Sequence, residues 1–113
     1  MHLLTPRSSM ADRDLQKLFA RAREASDFLK ALSHHTRLII LCLLTEGERT
    51  VGQLEESLGI QQPMVSQQLA RLRLDGLVSS RRDGRLIYYS VAHQDTAELL
   101  QFLLGMFPGT QDN

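Results

Sequence analysis

The run from Thr50 to Val91 constrains the fold more than any other part of this chain. It begins with a threonine followed three residues later by a glutamine, a spacing typical of the capping box that starts a helix. Leu54 and Leu58 supply the apolar stripe of a short helix, and Gly59 can end that helix in a left-handed conformation. The pattern therefore predicts a short scaffold helix followed by a sharp break.

A second helix is predicted directly after this break. Pro63 suits its first residue, because proline is favoured at the start of a helix. Its inward stripe consists of Val65, Leu69 and Leu72, whereas Leu74 faces outward without a sequence-level explanation. The rest of the outward face is small, amide-bearing or cationic, which suits contact with base edges and phosphates. We therefore predict DNA contacts from this helix and the residues just before it: Gln61, Gln62, Ser66, Gln67 and Arg71.

A β-hairpin follows the second helix. Two β-prone runs, 77–81 and 86–91, flank Asp83-Gly84, a favoured two-residue turn. Cations crowd the tip, and beside a duplex they would reach phosphates or the minor groove. The alternative is a solvated turn without a ligand. The predicted DNA-contacting cations are Arg81, Arg82 and Arg85.

Two helices followed by such a hairpin have the order of a winged helix-turn-helix, which places its second helix in the major groove. The net charge of zero does not oppose DNA binding, because the charge is unevenly distributed. Residues 60–92 carry five arginines against two aspartates, a balance of +3, whereas residues 31–59 carry two arginines against four glutamates, a balance of −2. Random variation of a solvated surface is the alternative explanation.

Three further helices flank this module. The first is predicted to begin at Ser9 or Asp12 and to carry a long apolar stripe. The next, from Ser33-His34 to Leu44, is apolar nearly all round and should be the central buried helix. The last covers about residues 93–107. The predicted fold class is thus mainly α with a small β-hairpin (α+β), in the order of four helices, two strands and a fifth helix.

The terminal helices carry more apolar surface than one small core can cover. We expect them to form a symmetric homodimer interface, although they could instead fill the core of the monomer. The predicted interface residues are Leu15, Leu18, Phe19, Leu99, Leu103 and Met106. Within 113 residues this gives one domain over residues 12–107, with the helix-turn-helix at 50–73 and the wing at 77–91. Residues 1–11 and 108–113 are predicted to be a flexible leader and tail.

Composition and motifs exclude several classes of protein. Neither a signal peptide nor an apolar run long enough for a membrane is present, and a single cysteine fits a reducing cytoplasm. No nucleophile and base stand at motif spacing, and no glycine-rich phosphate loop is present. We therefore expect a cytoplasmic protein that is not an enzyme and has no cofactor.

Several blocks together resemble the ArsR-type family of bacterial winged-helix repressors over about residues 12–107. The resemblance implies a homodimer joined by its first and last helices, with two recognition helices on an inverted-repeat operator. Many members of the family release DNA on binding metal or on thiol oxidation. The blocks are LSHHTRLIIL at 32–41, VSQQLARLR at 65–73, GLV at 76–78, RRDG at 81–84 and IYYS at 87–90.

The metal ligands of the metal-sensing members are absent from this sequence. Those members place cysteines at the scaffold helix, or acidic and histidine ligands on the last helix. Here residues 49–58 contain neither cysteine nor histidine, and the last helix has one histidine, His93, near Asp95 and Glu98. His34 and His35 are neighbours at a helix start and point in different directions. No metal site is predicted.

Cys42 lies in a context that resembles the persulfide-sensing branch of the family. In that branch a cysteine at this place pairs with another near the end of the last helix, where this chain has none. Three interpretations stay open: a buried small hydrophobe, a one-thiol sensor modified by persulfide or oxidant, and a variant that has lost its sensor.

The sequence thus predicts a homodimeric regulator that represses by binding a double-stranded DNA operator, with a small-molecule or oxidant inducer unidentified. The alternatives are a winged-helix module that binds proteins and a regulator without an inducer, in which Cys42 is purely structural. Leu74 is the residue that favours protein binding.

Overall fold

The computed structural model describes residues 11–60 and 62–109. Residues 1–10 and 110–113, which make up most of the predicted leader and tail, lie outside the described residues, as does Gln61. The described part of the chain is mainly helical with a small antiparallel sheet, which confirms the predicted fold class. Its elements are α1 (Asp12–Leu32), α2 (His35–Thr45), β1 (Arg49–Thr50), α3 (Val51–Leu58), α4 (Gln62–Leu74), β2 (Val78–Asp83), β3 (Leu86–Val91) and α5 (Gln94–Gly105).

The described part of the chain divides into two compact units, one up to Lys30 and one from Ala31 onward. The first consists, in its described part, of α1 up to Lys30. Asp12 and Asp14 lie in the first turn of this helix and Lys30 in its last turn. These charges interact favourably with the helix dipole at both ends. Most of its apolar side chains are exposed, including Phe19 and Leu29.

The second unit has its core around α2. Ile40 and Leu41 of α2 are fully buried, and this helix packs against α4, α5 and β3. Cys42 is only half-buried, so α2 is buried on one side and not all round as predicted. The predicted inward stripes are confirmed, except that Leu58 of α3 is only half-buried. The fully buried side chains of the other helices are Leu54, Val65, Leu69, Leu72 and Leu100.

Local signals set the boundaries of the helix-turn-helix. The Thr50 hydroxyl accepts a hydrogen bond from the Gln53 N–H at 3.1 Å, and the Gln53 side chain accepts one from the Thr50 N–H at 2.9 Å, which completes the predicted capping box. Gly59 ends α3 with φ +68°. One boundary differs from the prediction, because α4 begins at Gln62 and Pro63 is therefore its second residue. Proline is still tolerated there, since the first-turn N–H groups lack helical partners.

The sheet contains one strand more than the predicted hairpin. β1 pairs with β3, with Arg49 opposite Tyr89 and Thr50 opposite Tyr88, and the strand order is β1-β3-β2. Two residues are too few to show an alternating pattern, so sequence periodicity could not reveal this strand. It ties the start of α3 directly to the wing.

The predicted hairpin turn is wrong by one residue. Asp83 pairs with Leu86, so the two-residue loop is Gly84-Arg85 rather than Asp83-Gly84. Gly84 has φ +65° and Arg85 does not adopt a positive φ, as expected for a turn with glycine at its first central position. The longer β2 includes both Arg81 and Arg82, and the alternation of a strand places their side chains on opposite faces of the sheet.

Candidate nucleic-acid interface

The outer face of α4 exposes polar side chains in its middle, with the apolar Met64 and Leu74 exposed toward its two ends. Ser66, Gln67 and Arg71 are exposed there, whereas Val65 and Leu69 of the same helix are fully buried. Gln62 lies in the first turn of α4, and Gln61 falls outside the described residues. Thus the structure brings three of the predicted contacts to one surface. That surface presents an amide, a hydroxyl and a guanidinium, which can hydrogen-bond to base edges and phosphates.

Arg71 has a weak intramolecular partner. Its Nε atom lies 3.4 Å from Asp75 Oδ2, one helical turn further on, and its side chain remains 60% exposed. Exposed ion pairs of this kind contribute about 0–1 kcal/mol, so a phosphate can replace the carboxylate at little cost.

Sequence reasoning missed the contact that holds α4 against α2. The Nε–H group of Arg37 donates to Gln68 Oε1 at 2.9 Å, and its Nη1 donates to the Ala31 carbonyl oxygen at 3.3 Å. Gln68 is half-buried and therefore differs from its neighbour Gln67, although the two have the same side chain. The run SQQ at 66–68 is polar throughout, so the sequence alone does not show that one glutamine is exposed and the other half-buried.

The turn of the wing presents two free cations. Arg85 is one of the two loop residues, and Arg82 lies in β2 opposite Ile87; both side chains are exposed. Within residues 11–60 and 62–109 neither forms an ion pair. Their charges are therefore available to an external anion such as a DNA phosphate.

Arg81, by contrast, is engaged within the protein. Its Nε–H donates to Glu48 Oε2 at 2.9 Å, and its Nη2 group donates to Glu48 Oε1. The guanidinium carbon lies 4.6 Å from the centre of the Tyr88 ring, and Nη1 lies 4.0 Å from Asp83 Oδ2. The hydrogen bond from Arg81 lowers the pKa of the Glu48 carboxyl, and the same bond raises the pKa of Arg81. From sequence alone, Arg81 and Arg82 have the same predicted role, and Glu48 is not recognisable as the partner of Arg81.

Comparison of the sequence with known proteins identifies the family to which this chain belongs. The sequence profile described as "Bacterial regulatory protein, arsR family" matches residues 34–80. A biofilm growth-associated repressor of Xylella fastidiosa (strain 9a5c) is 43% identical over 101 residues, which are 89% of this chain and 86% of that protein. The chain belongs to the arsR family of bacterial regulatory proteins. The predicted resemblance is thereby confirmed.

Three further proteins that this chain is similar to are DNA-binding or transcriptional regulators by description. The transcriptional activator HlyU of Vibrio cholerae is 34% identical over 82% of this chain and 86% of its own length. The crystal structure of the transcriptional repressor BigR from Xylella fastidiosa has a TM-score of 0.76 at 42% identity, and the match covers 90% of this chain and 100% of BigR. A homodimeric winged helix-turn-helix DNA-binding domain from Mycobacterium bovis, solved by NMR, has a TM-score of 0.67 at 31% identity, covering 94% of this chain and 99% of that domain.

The single thiol of this arsR-family protein lies in α2. Cys42 is half-buried, and burial raises the pKa of its thiol above the ordinary value. Its carbonyl oxygen accepts a hydrogen bond from the Thr45 hydroxyl at 2.6 Å.

The predicted interface residues of the two terminal helices differ in exposure. Leu99 on α5 and Met106, directly after this helix, are exposed, as are Leu18 and Phe19 on α1, whereas Leu15 and Leu103 are half-buried. The structure adds Phe102 and Phe107, which are 71% and 65% exposed. Exposed aromatic and aliphatic side chains of this size are typical of a surface that a partner covers.

The described residues do not form a metal site or a membrane-spanning helix. No three His, Cys, Asp or Glu side chains within residues 11–60 and 62–109 lie together as a metal would require. No single helix in that part of the chain is long and apolar enough to cross a membrane.

Proposed function

We propose that this arsR-family protein is a homodimeric, sequence-specific DNA-binding regulator that represses transcription from an inverted-repeat operator. The observation that carries the proposal is the exposed face of α4, where Ser66, Gln67 and Arg71 lie on the side of the helix opposite its buried stripe. As a bacterial regulator that binds DNA, it would act in the cytoplasm.

The proposed contacts divide into two kinds. Gln61, Gln62, Ser66, Gln67 and Arg71 would contact the major groove and its edges, because their amide, hydroxyl and guanidinium groups match base edges and nearby phosphates. Arg82 and Arg85 would hold the sugar–phosphate backbone, because neither is neutralised within the described residues.

Two copies would join through α1 and α5. The exposed apolar residues of α5 support this arrangement, as does the homodimeric state of the Mycobacterium bovis domain. A two-fold dimer would set its two recognition helices about 34 Å apart, one turn of DNA, and so would select an inverted repeat.

A second candidate function is protein binding, favoured by Leu74. This leucine is 80% exposed at the end of α4, where a protein-binding winged helix would carry an apolar anchor. A role as a regulator that responds through Cys42 to persulfide, oxidant or another inducer is a further proposal, and so is a regulator without an inducer.

Selection of binding sites from fragmented genomic DNA tests the proposed function. The expected result is enrichment of an inverted repeat whose half-sites lie about one helical turn apart. Recovery of fragments without a shared repeat would contradict sequence-specific binding. The genes beside the enriched repeat would indicate the signal, and transcription from their promoter with and without the protein would separate repression from activation.

A further inference from the structure

One ion pair joins the wing to the segment that leads into the helix-turn-helix. Glu48 lies between α2 and β1, two residues before Thr50, which caps α3. Its partner Arg81 lies in β2, 33 residues further along the chain. The contact therefore connects two parts of the proposed DNA-binding surface that the sequence keeps far apart.

The geometry of this contact restricts Arg81 more than a single charge–charge contact would. Two of its nitrogen atoms donate to two different oxygen atoms of Glu48, a fork that fixes both position and orientation. The Tyr88 ring supports the guanidinium from β3, directly across the sheet from Arg81. Tyr88 is also the register partner of Thr50, so one row across the sheet contains Thr50, Tyr88 and Arg81.

The three arginines of the wing consequently differ in what they offer to DNA. Arg82 and Arg85 have no ion pair in the described part of the chain, whereas Arg81 faces Glu48 and has Asp83 4.0 Å away. A phosphate could bind the Nε and Nη2 edge of Arg81 only by displacing the carboxylate of Glu48.

We propose that Arg81 is a positioning residue rather than a phosphate ligand: with Glu48 it fixes the wing against the segment before α3. Arg82 and Arg85 then meet the backbone in register with the contacts from α4. This proposal rests on the proposed function and gives Arg81 a role different from the one predicted from sequence.

Exchanging the charges of residues 48 and 81 distinguishes a positioning role of Arg81 from phosphate binding. The variants are Glu48→Gln, Arg81→Gln and the double variant Glu48→Arg with Arg81→Glu; Arg82→Gln is the control for a phosphate ligand. The affinity of each variant is measured over a series of salt concentrations for two duplexes. One carries the selected inverted repeat, and the other is a scrambled duplex of the same composition. Far-UV circular dichroism checks the fold of every variant, and exposed pairs of this kind contribute little to folding.

A positioning role predicts a loss of specificity. Glu48→Gln and Arg81→Gln should each lower affinity for the selected duplex by up to about fivefold, because an exposed pair can supply no more than about that factor. Both should leave affinity for the scrambled duplex within about twofold and the salt slope unchanged. The exchanged pair should recover to within about twofold of the parent protein, because it restores the link with reversed polarity. Arg82→Gln should instead weaken binding to both duplexes and reduce the salt slope by about one.

Two results would overturn the proposal. If Arg81→Gln reduces the salt slope by about one and the exchanged pair does not recover, Arg81 is a phosphate ligand. If Glu48→Gln tightens binding to both duplexes, Glu48 competes with DNA for Arg81. Failure of the proposed function is distinguishable, because the parent protein would then show no preference for the selected duplex.

A second measurement does not depend on the folding of the exchanged pair. The carbon NMR signal of the Glu48 carboxylate in the parent protein is followed as the selected duplex is added. A positioning role predicts that the signal keeps its chemical shift in the complex, since Arg81 stays bound to it. Movement of the signal to the position seen in Arg81→Gln would show release and contradict the proposal.

Discussion

Gln67 and Gln68 are neighbours with the same side chain and different environments. Gln67 is exposed on the outer face of α4, whereas Gln68 accepts a hydrogen bond from Arg37 at 2.9 Å. The sequence pattern places Gln67 on the outer face of α4, and the structure agrees. The hydrogen bond between Gln68 and Arg37 could not be predicted, because 31 residues separate the two partners. Side-chain pairs between distant segments depend on how helices pack, and no local pattern encodes them.

This pair gives a matched test of base recognition. Gln67→Ala should lower affinity for the selected duplex by about 1–3 kcal/mol and leave the free energy of unfolding within about 0.5 kcal/mol of the parent value. Gln68→Ala should lower the free energy of unfolding by about 0.5–1.5 kcal/mol through the lost hydrogen bond. Fluorescence anisotropy on selected and scrambled duplexes, with urea unfolding, measures both effects. Equal loss on the two duplexes for Gln67→Ala would contradict base recognition by this residue.

Cys42 illustrates a residue whose chemistry the fold modifies. The thiolate is the nucleophile, and burial raises the pKa of this thiol, so the reactive fraction is smaller than in a free cysteine at any pH below that pKa. Alkylation by iodoacetamide should therefore be slower at neutral pH than in an unfolded control peptide, and its half-maximal rate should lie at higher pH. Mass spectrometry follows the adduct, with Cys42→Ser as the blank. Alkylation as fast as in the peptide would show that the fold does not protect the thiol.

At the scale of elements, the helix boundaries that depend on a few adjacent residues could be predicted from the sequence. The features that depend on which strands pair could not. The capping box at Thr50 and the end of α4 before Gly76 appear where the sequence predicts them, because cap and glycine act within one turn. The strand β1 and the register of the hairpin were missed or displaced, since both depend on which residues of β3 lie opposite. Asp83-Gly84 and Gly84-Arg85 are both acceptable turns locally, and pairing of Asp83 with Leu86 distinguishes them.

The start of α3 supports a prediction on stability. Thr50→Ala removes an acceptor for the Gln53 N–H and should lower the free energy of unfolding by about 1 kcal/mol. Thr50→Ser keeps the hydroxyl and is the control, expected to stay within about 0.5 kcal/mol of the parent protein. Urea unfolding followed by circular dichroism measures both variants. A serine variant as unstable as the alanine variant would show that the methyl group of Thr50, rather than its hydroxyl, stabilises this end of the helix.

At the scale of the whole molecule, α5 has more apolar surface than the described part of the chain covers. Leu100 is 1% exposed and belongs to the core, whereas Leu99 and Phe102 are 39% and 71% exposed on the same helix. The sequence predicted apolar residues in excess of one core but could not assign each of them to the inside or outside. That assignment depends on which face α5 turns toward α2 and β3.

The proposed dimer makes a prediction that links assembly to DNA binding. Leu99→Glu places a charge in the apolar surface and should convert a dimer into a monomer at micromolar concentration, because an unpaired charge is costly to bury. Gln101→Glu adds the same charge at an exposed polar position of the same helix and should remain dimeric. Sedimentation equilibrium measures the mass of each variant. The monomeric variant should lose affinity for the full inverted repeat far more than for a single half-site, since only the dimer contacts both halves. A Leu99→Glu protein that sediments as the parent does, or a parent protein that is already monomeric, would place the dimer interface elsewhere or exclude it.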